Sequence, residues 1–71
     1  MKAKCLSSSI LDYTVGVEYK CELEFNSKSS DIYYIECNNK LEFRKSILNG
    51  DLYTVLNLSG VEIATFEIVE E

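Results

Sequence analysis

The stretch VGVEYKCELEF, residues 15–25, alternates without an error from Val17 onward. Val17, Tyr19, Cys21, Leu23 and Phe25 share one parity, and Glu18, Lys20, Glu22 and Glu24 share the other. Successive side chains of a strand point to opposite faces, so the pattern predicts a strand that is apolar inside and charged outside. Five inward side chains at ~1.5–3 kcal/mol each would weigh heavily in a chain of this size.

The rest of the chain is punctuated in the same way. KAKCL at 2–6 predicts a first strand, and SSS at 7–9 a polar loop. NSKSSD at 26–31 is a run of small polar residues typical of loops. IYYIEC at 32–37 and KLEFRKS at 40–46 read as strands on either side of Asn38-Asn39, where asparagine tolerates the positive φ of a tight turn. Asn49-Gly50 is the strongest hairpin signal, with one 3₁₀ turn over SILNG as its alternative. DLYTVLNL at 51–58 and VEIATFEIV at 61–69 join through Ser59-Gly60. No segment carries a helical stripe. Strands recurring about every ten residues predict one all-β domain over residues 1–71. Its expected form is a small antiparallel barrel, or a strongly bent sheet, of five to six strands.

Two-residue turns at 38–39 and 49–50 place Tyr34 opposite Phe43, Leu56 opposite Phe43 and Leu52 opposite Ile47. One face then holds Tyr34, Leu41, Phe43, Ile47, Leu52, Leu56, Leu58, Val61 and Ile63, and this set is the expected core. The opposite face holds Tyr33, Ile35, Tyr53, Val55, Ala64, Phe66 and Ile68 with Arg44 and Glu42 among them. A sheet with one wet face should be cleaner than this. Either the sheet curls and takes some of these residues inward, or the register slips by one, or the face is a contact surface.

Composition limits the functional classes. Seven basic residues against twelve acidic ones give a net charge of -5, which disfavours direct binding to a nucleic-acid backbone. Glu18, Glu22, Glu24, Asp31 and Glu36 form a weakly acidic face, short of the charge that phosphate mimicry needs. There is no histidine, so a serine or cysteine nucleophile would lack its commonest base, and no enzyme is expected. The three cysteines, Cys5, Cys21 and Cys37, have neither close pairing nor histidine beside them. They are expected to be reduced apolar fillers, with no metal and no cofactor. The first residues lack the apolar stretch of a signal peptide, and no run is long enough to span a membrane as a helix, so a cytoplasmic location is expected.

The order KCL…YTVGVEY…YYIECNNKLEFRKSIL resembles small SH3-like β-barrel proteins of bacteriophages and Gram-positive bacteria, over residues 2–48. Thr14, Val15, Gly16 and Tyr19 match the family's lead-in to the second strand, and Asn38 and Asn39 match its turn. Lys45, Ser46, Ile47 and Leu48 match a short helical piece. The tail after residue 48 is longer than the family's and implies an extra hairpin. The resemblance implies the fold and a phage or mobile-element origin, and it carries no catalytic residue.

Tyrosine and arginine are enriched at interface centres. Tyr33, Ile35, Arg44, Tyr53 and Phe66 are therefore the expected protein-contact residues, with Tyr33 stacking on Arg44. The expected function is that of a non-enzymatic inhibitor or adaptor that binds a bacterial host protein, of anti-CRISPR or anti-restriction type. A structural module closing a homodimer, or a small-ligand binder, is the alternative.

Overall fold

Six antiparallel strands follow one another around a closed barrel: β1 (Lys2–Ser8), β2 (Glu18–Leu23), β3 (Ile32–Glu36), β4 (Phe43–Asn49), β5 (Leu52–Leu56) and β6 (Glu62–Val69). The computed structural model describes residues 1–23 and 32–69, so the expectations for Glu24, Phe25 and Asp31 fall outside the described residues. Each strand pairs with its neighbours in sequence, and β6 returns to pair with β1. Closure of this kind satisfies backbone groups that an open sheet would leave at its edges.

Turn chemistry sets the registers. At the β4–β5 hairpin Asn49 pairs with Leu52, so Gly50 and Asp51 are the turn residues. Gly50 takes φ 66° while Asp51 stays outside the left-handed region, as in a type II′ turn, whose first central position favours glycine. The expected turn at Asn49-Gly50 lies one residue too early. Residues 38–41 form a longer loop than the expected Asn38-Asn39 pair: Lys40, not asparagine, takes the positive φ of 60°, and its amide bonds the Cys37 carbonyl. The Asn39 Oδ1 accepts from the amides of Leu41 and Glu42. Tyr34 therefore faces Lys45 and Glu36 faces Phe43. Both hairpins differ from expectation by two residues, not one. An even slip leaves every residue with its expected face-mates. Residues 45–48, matched above to a helical piece, instead continue β4 as extended strand.

The faces are sorted as expected, but inside and outside are exchanged. The core is built from Ala3, Cys5, Tyr13, Tyr19, Cys21, Tyr33, Ile35, Cys37, Val55, Ile63, Ala64 and Phe66. The expected core residues Leu41, Phe43, Ile47, Leu56, Leu58 and Val61 are exposed. The physical reason is the width of the lumen. About eight strands enclose a space just wide enough to be filled by side chains, and six enclose less. Small residues must alternate with large ones there. Ala3, Cys5, Cys21, Cys37, Ser46 and Ala64 supply the small partners, and a lumen lined by leucines would be overpacked. Ser46 is fully buried, with its hydroxyl donating to the Tyr33 carbonyl.

In β2, only Tyr19 and Cys21 point into the core, while Val17 and Leu23 are exposed at its two ends. Two bulges complete the closure. Leu6 interrupts the β1–β6 register, and Ile63 is the extra residue opposite the Val55/Leu56 step. Bulges bend a strand and re-aim a side chain. Here Ile63 turns inward beside Ala64, and both are buried.

Two core residues come from outside the strands, Cys37 just past the end of β3 and Tyr13. Tyr13, in the loop between β1 and β2, plugs the barrel, packing edge-on against Tyr19 at 5.2 Å and Phe66 at 4.7 Å. Its hydroxyl donates to the Ile35 carbonyl at 2.8 Å and accepts from the Cys37 thiol at 3.6 Å. Burial, with the Cys37 hydrogen bond, pushes the Tyr13 phenol far above its usual value, and burial also raises the Cys5 and Cys21 thiols. The unfolded chain releases these protons near pH 9.0 for the thiols and 10.0 for the phenol, while the folded chain keeps them. The native state then binds more protons than the unfolded one, so stability is full below this range and falls as pH rises through it. Thermal melts from pH 8 upward should show that decline. Tyrosinate absorbance should include Tyr13 only when the fold is lost; its titration in a still-folded chain would contradict the plug.

Candidate functional site

The structure takes three of the five expected contact residues away from the surface and leaves Arg44 and Tyr53 partly exposed. Tyr33, Ile35 and Phe66 lie in the core, and Tyr53 is half-buried against it. Tyr33 meets Tyr53 edge-on at 5.1 Å, and Arg44 bonds Asp12, Nε to Oδ2 at 2.6 Å. That bond, helped by the Asp12 charge, raises the Arg44 guanidinium above its usual value. The aromatic composition that marks an interface centre here fills the inside of a narrow barrel.

The most exposed apolar side chains lie instead on loops at one end. In an up-and-down barrel the β1–β2, β3–β4 and β5–β6 connections emerge together, and the hydrogen bonds join them. The Asn38 amide donates to the Asp12 carbonyl, and its Nδ2 to the Leu11 carbonyl, both at 2.8 Å. The Asn38 Oδ1 accepts from the Tyr19 hydroxyl, which in turn accepts from the Thr14 amide. The Ser9 amide donates to the Ile63 carbonyl at 2.9 Å, tying the first loop to the start of β6. Each loop carries one outward leucine: Leu11 is 95% exposed, Leu41 86% and Leu58 109%. Val15 and Val61 are exposed in the same loops, and Phe43 and Leu56 continue the apolar surface at the adjoining strand ends.

These leucines sit on loops closed by side-chain hydrogen bonds. The Asn57 Oδ1 accepts from the amides of Ser59 and Val61, and the Asn57 amide donates to the Val61 carbonyl, so the turn that displays Leu58 is closed by its own bonds. Asn39 does the same for Leu41. Loops normally spend their tips on polar residues, so three leucines at adjoining tips are a chemical exception. Sequence reasoning missed them because Leu41 and Leu58 continue strand alternation and were placed in the core. The available signal was their position beside Asn39 and Asn57, inside the turns.

A second concavity lies on the barrel wall. β2 pairs with β3 through Cys21, Glu22 and Leu23 against Ile35, Tyr34 and Tyr33. Glu18, Tyr19 and Lys20 have partners on β1 but none on β3. A cleft of about 350 Å³ opens there, between the first half of β2 and the end of β3. Cys5, Cys21 and Cys37 are unpaired thiols inside the barrel, and among the described residues no cluster of three acidic, cysteine or histidine side chains is placed to hold a metal ion. Also among the described residues, no helix is long and apolar enough to cross a membrane.

Comparison with protein-family models, with curated proteins and with solved structures finds no match to this chain.

Proposed function

We propose that the protein is a non-enzymatic binding module that docks on another protein through the loop end of its barrel. The observation that carries this reading is the near-complete exposure of Leu11, Leu41 and Leu58 on three loops that emerge at the same end of the barrel. Water-exposed leucines contribute nothing to the fold, and extended apolar patches on small domains usually mark contact sites. A protein partner burying three such anchors gains apolar area with little backbone ordering, because the loops are already closed by their own hydrogen bonds. The acidic charge of -5 favours a partner with a basic rim. The finer form of the reading is a phage-encoded inhibitor of a bacterial defence protein, supported by the sequence resemblance and by buried, high-pKa thiols that offer no nucleophile.

The test compares wild type with a triple variant, Leu11→Ser, Leu41→Ser and Leu58→Ser. Exposed positions tolerate such changes within about ±0.5 kcal/mol each, so the melting temperature should barely move. Quantitative capture from bacterial lysate should drop at least tenfold for every specific partner, and any protection of phage against restriction or CRISPR interference should disappear. Equal capture by wild type and variant would refute the loop surface. Concentration-dependent sedimentation that the variant abolishes would assign the surface to a second copy of the chain instead.

A further inference from the structure

The wall of the barrel forks at the cleft between β2 and β3. Glu18, Tyr19 and Lys20 pair with β1, but the register with β3 begins only at Cys21 against Ile35. Continued toward the start of β2, that register would set Lys20 opposite Glu36 and Glu18 opposite Asn38, and neither pair forms. The reason lies in where the end of β3 is drawn. The Asn38 amide donates to the Asp12 carbonyl and the Cys37 amide to the Glu42 carbonyl, so the chain leaves β2 at this level. Alternation then decides which backbone groups of β2 are left over. The Cys5 amide donates to the Val17 carbonyl, so Val17, and Tyr19 with it, turns its backbone groups toward β1. Glu18 and Lys20 turn theirs the other way, into the cleft, and Glu18 has no residue of β3 opposite to receive them. An open edge of this kind is a template for a further strand.

We propose that this edge takes up an extended peptide segment of another protein, which lies in the cleft as a short added strand beside Glu18–Lys20. The occupant follows from the chemistry of the edge, because extended backbone offers donors and acceptors at strand spacing, ~3.3 Å per residue. Charge does not choose it: Lys2, Lys20 and Lys40 line the cleft together with Glu18 and Glu36. The volume, about 350 Å³, admits a few residues of chain and no folded domain. Opposed residues share a face, so the segment's side chain opposite Tyr19 points to the floor made by the buried Tyr19 and Cys37, where an apolar residue fits. Val17, exposed in the lining, extends that apolar contact. Leu11, Leu41 and Leu58 do not line the cleft, so the site is separate from the loop-end surface and does not rest on it.

The probe is a short peptide of alternating threonine and valine, blocked at both ends, titrated into the full chain and followed by amide shifts and hydrogen exchange. In the free chain the Glu18 amide should exchange fast and the Tyr19 amide, held in the β1 ladder, slowly. The peptide should give saturable shifts concentrated at residues 17–20 and 36–38, and should slow Glu18 exchange. A fully N-methylated twin keeps the side chains but has no donors, and should bind about fivefold more weakly or worse. Glu18→Pro removes one edge amide that the β1 ladder does not use. Proline is tolerated at such a position, so the melting temperature should hold while peptide affinity falls by a similar factor. The variant carrying Leu11→Ser, Leu41→Ser and Leu58→Ser should bind the peptide as wild type does, which separates a failure here from a failure of the loop surface. A Glu18 amide as protected as Tyr19 in the free chain, equal binding of the methylated twin, or no saturable shift at millimolar peptide would overturn the proposal.

Discussion

Replacement of Phe66 by alanine is expected to leave little folded protein at room temperature, whereas replacement of Phe43 should be well tolerated. The two residues are chemically identical, and only their place in the barrel differs. Phe66 is fully buried, faces Cys5 on β1 and Tyr53 on β5, and receives the rings of Tyr13 and Tyr19. Truncating such a ring removes its transfer free energy and leaves a cavity that rigid strands on all sides cannot close, at a cost of about 3–5 kcal/mol. At ~0.05–0.15 kcal/mol per residue, a domain of this length has only about 4–10 kcal/mol to lose. Phe43 is 40% exposed on the outer face of β4, so its truncation should cost well under half as much. Urea unfolding of both variants measures the difference. Similar losses would mean that the faces of β4 and β6 are wrongly assigned.

The second large effect is expected at Tyr13. This residue belongs to no strand, yet its ring occupies the barrel end and its hydroxyl reaches the Ile35 carbonyl. Tyr13→Ala should cost about 3–5 kcal/mol by the same cavity argument. Tyr13→Phe keeps the ring and removes only the hydrogen bonds to Ile35 and from Cys37, so about 1–3 kcal/mol should be lost. The two variants also differ in their effect on the loops. The alanine variant releases residues 9–17 from beneath, although Asn38 still holds the Asp12 and Leu11 carbonyls, so amide exchange should accelerate through this loop before it does so in the strands. A Tyr13→Ala protein with wild-type stability and unchanged exchange would show that the plug is ornamental and that the barrel closes without it.

Both expectations depend on a distinction that alternation does not encode. Period-2 patterning sorts Tyr33 with Ile35, and Phe43 with Ile47, onto opposite faces, and the structure keeps that sorting through one loop longer than expected and one two-residue turn displaced by a residue. The errors cancelled because each hairpin moved by an even number of residues. Asn39 and Asn57 explain the loop lengths: each accepts two backbone amides through its side-chain oxygen, which stabilises a wider loop than a two-residue turn. Those bonds are local in sequence, but their preference over a tight turn depends on the strands they connect. Ile63, in the expected core, is buried, and the bulge that lets it turn inward beside Ala64 is what no pattern in the sequence marks.

The candidate site was read least well, for a related reason. Tyr33, Ile35, Tyr53 and Phe66 carry the composition of an interface centre, and the same composition fills a narrow lumen when small residues stand between the rings. Arg44 looked like the charged companion of such a centre; it is tied to Asp12 in the loop that the barrel closes over.

What the sequence by itself determined is the all-β class, the six strands at their approximate positions, and the division of their side chains into two sets. Spacing, glycine and asparagine signals and strict alternation are local properties, and they survive whatever the strands later do. Only the tertiary structure decided which set goes inside. Both sets are apolar enough to be buried, so hydrophobicity alone does not choose between them. Closure into six strands chooses, because the lumen admits Ala3, Cys5, Cys21, Cys37, Ser46 and Ala64 between a few large rings and has no room for rows of leucine. The leucines are left outside, and the most exposed of them, Leu11, Leu41 and Leu58, stand on the loops at one end of the barrel.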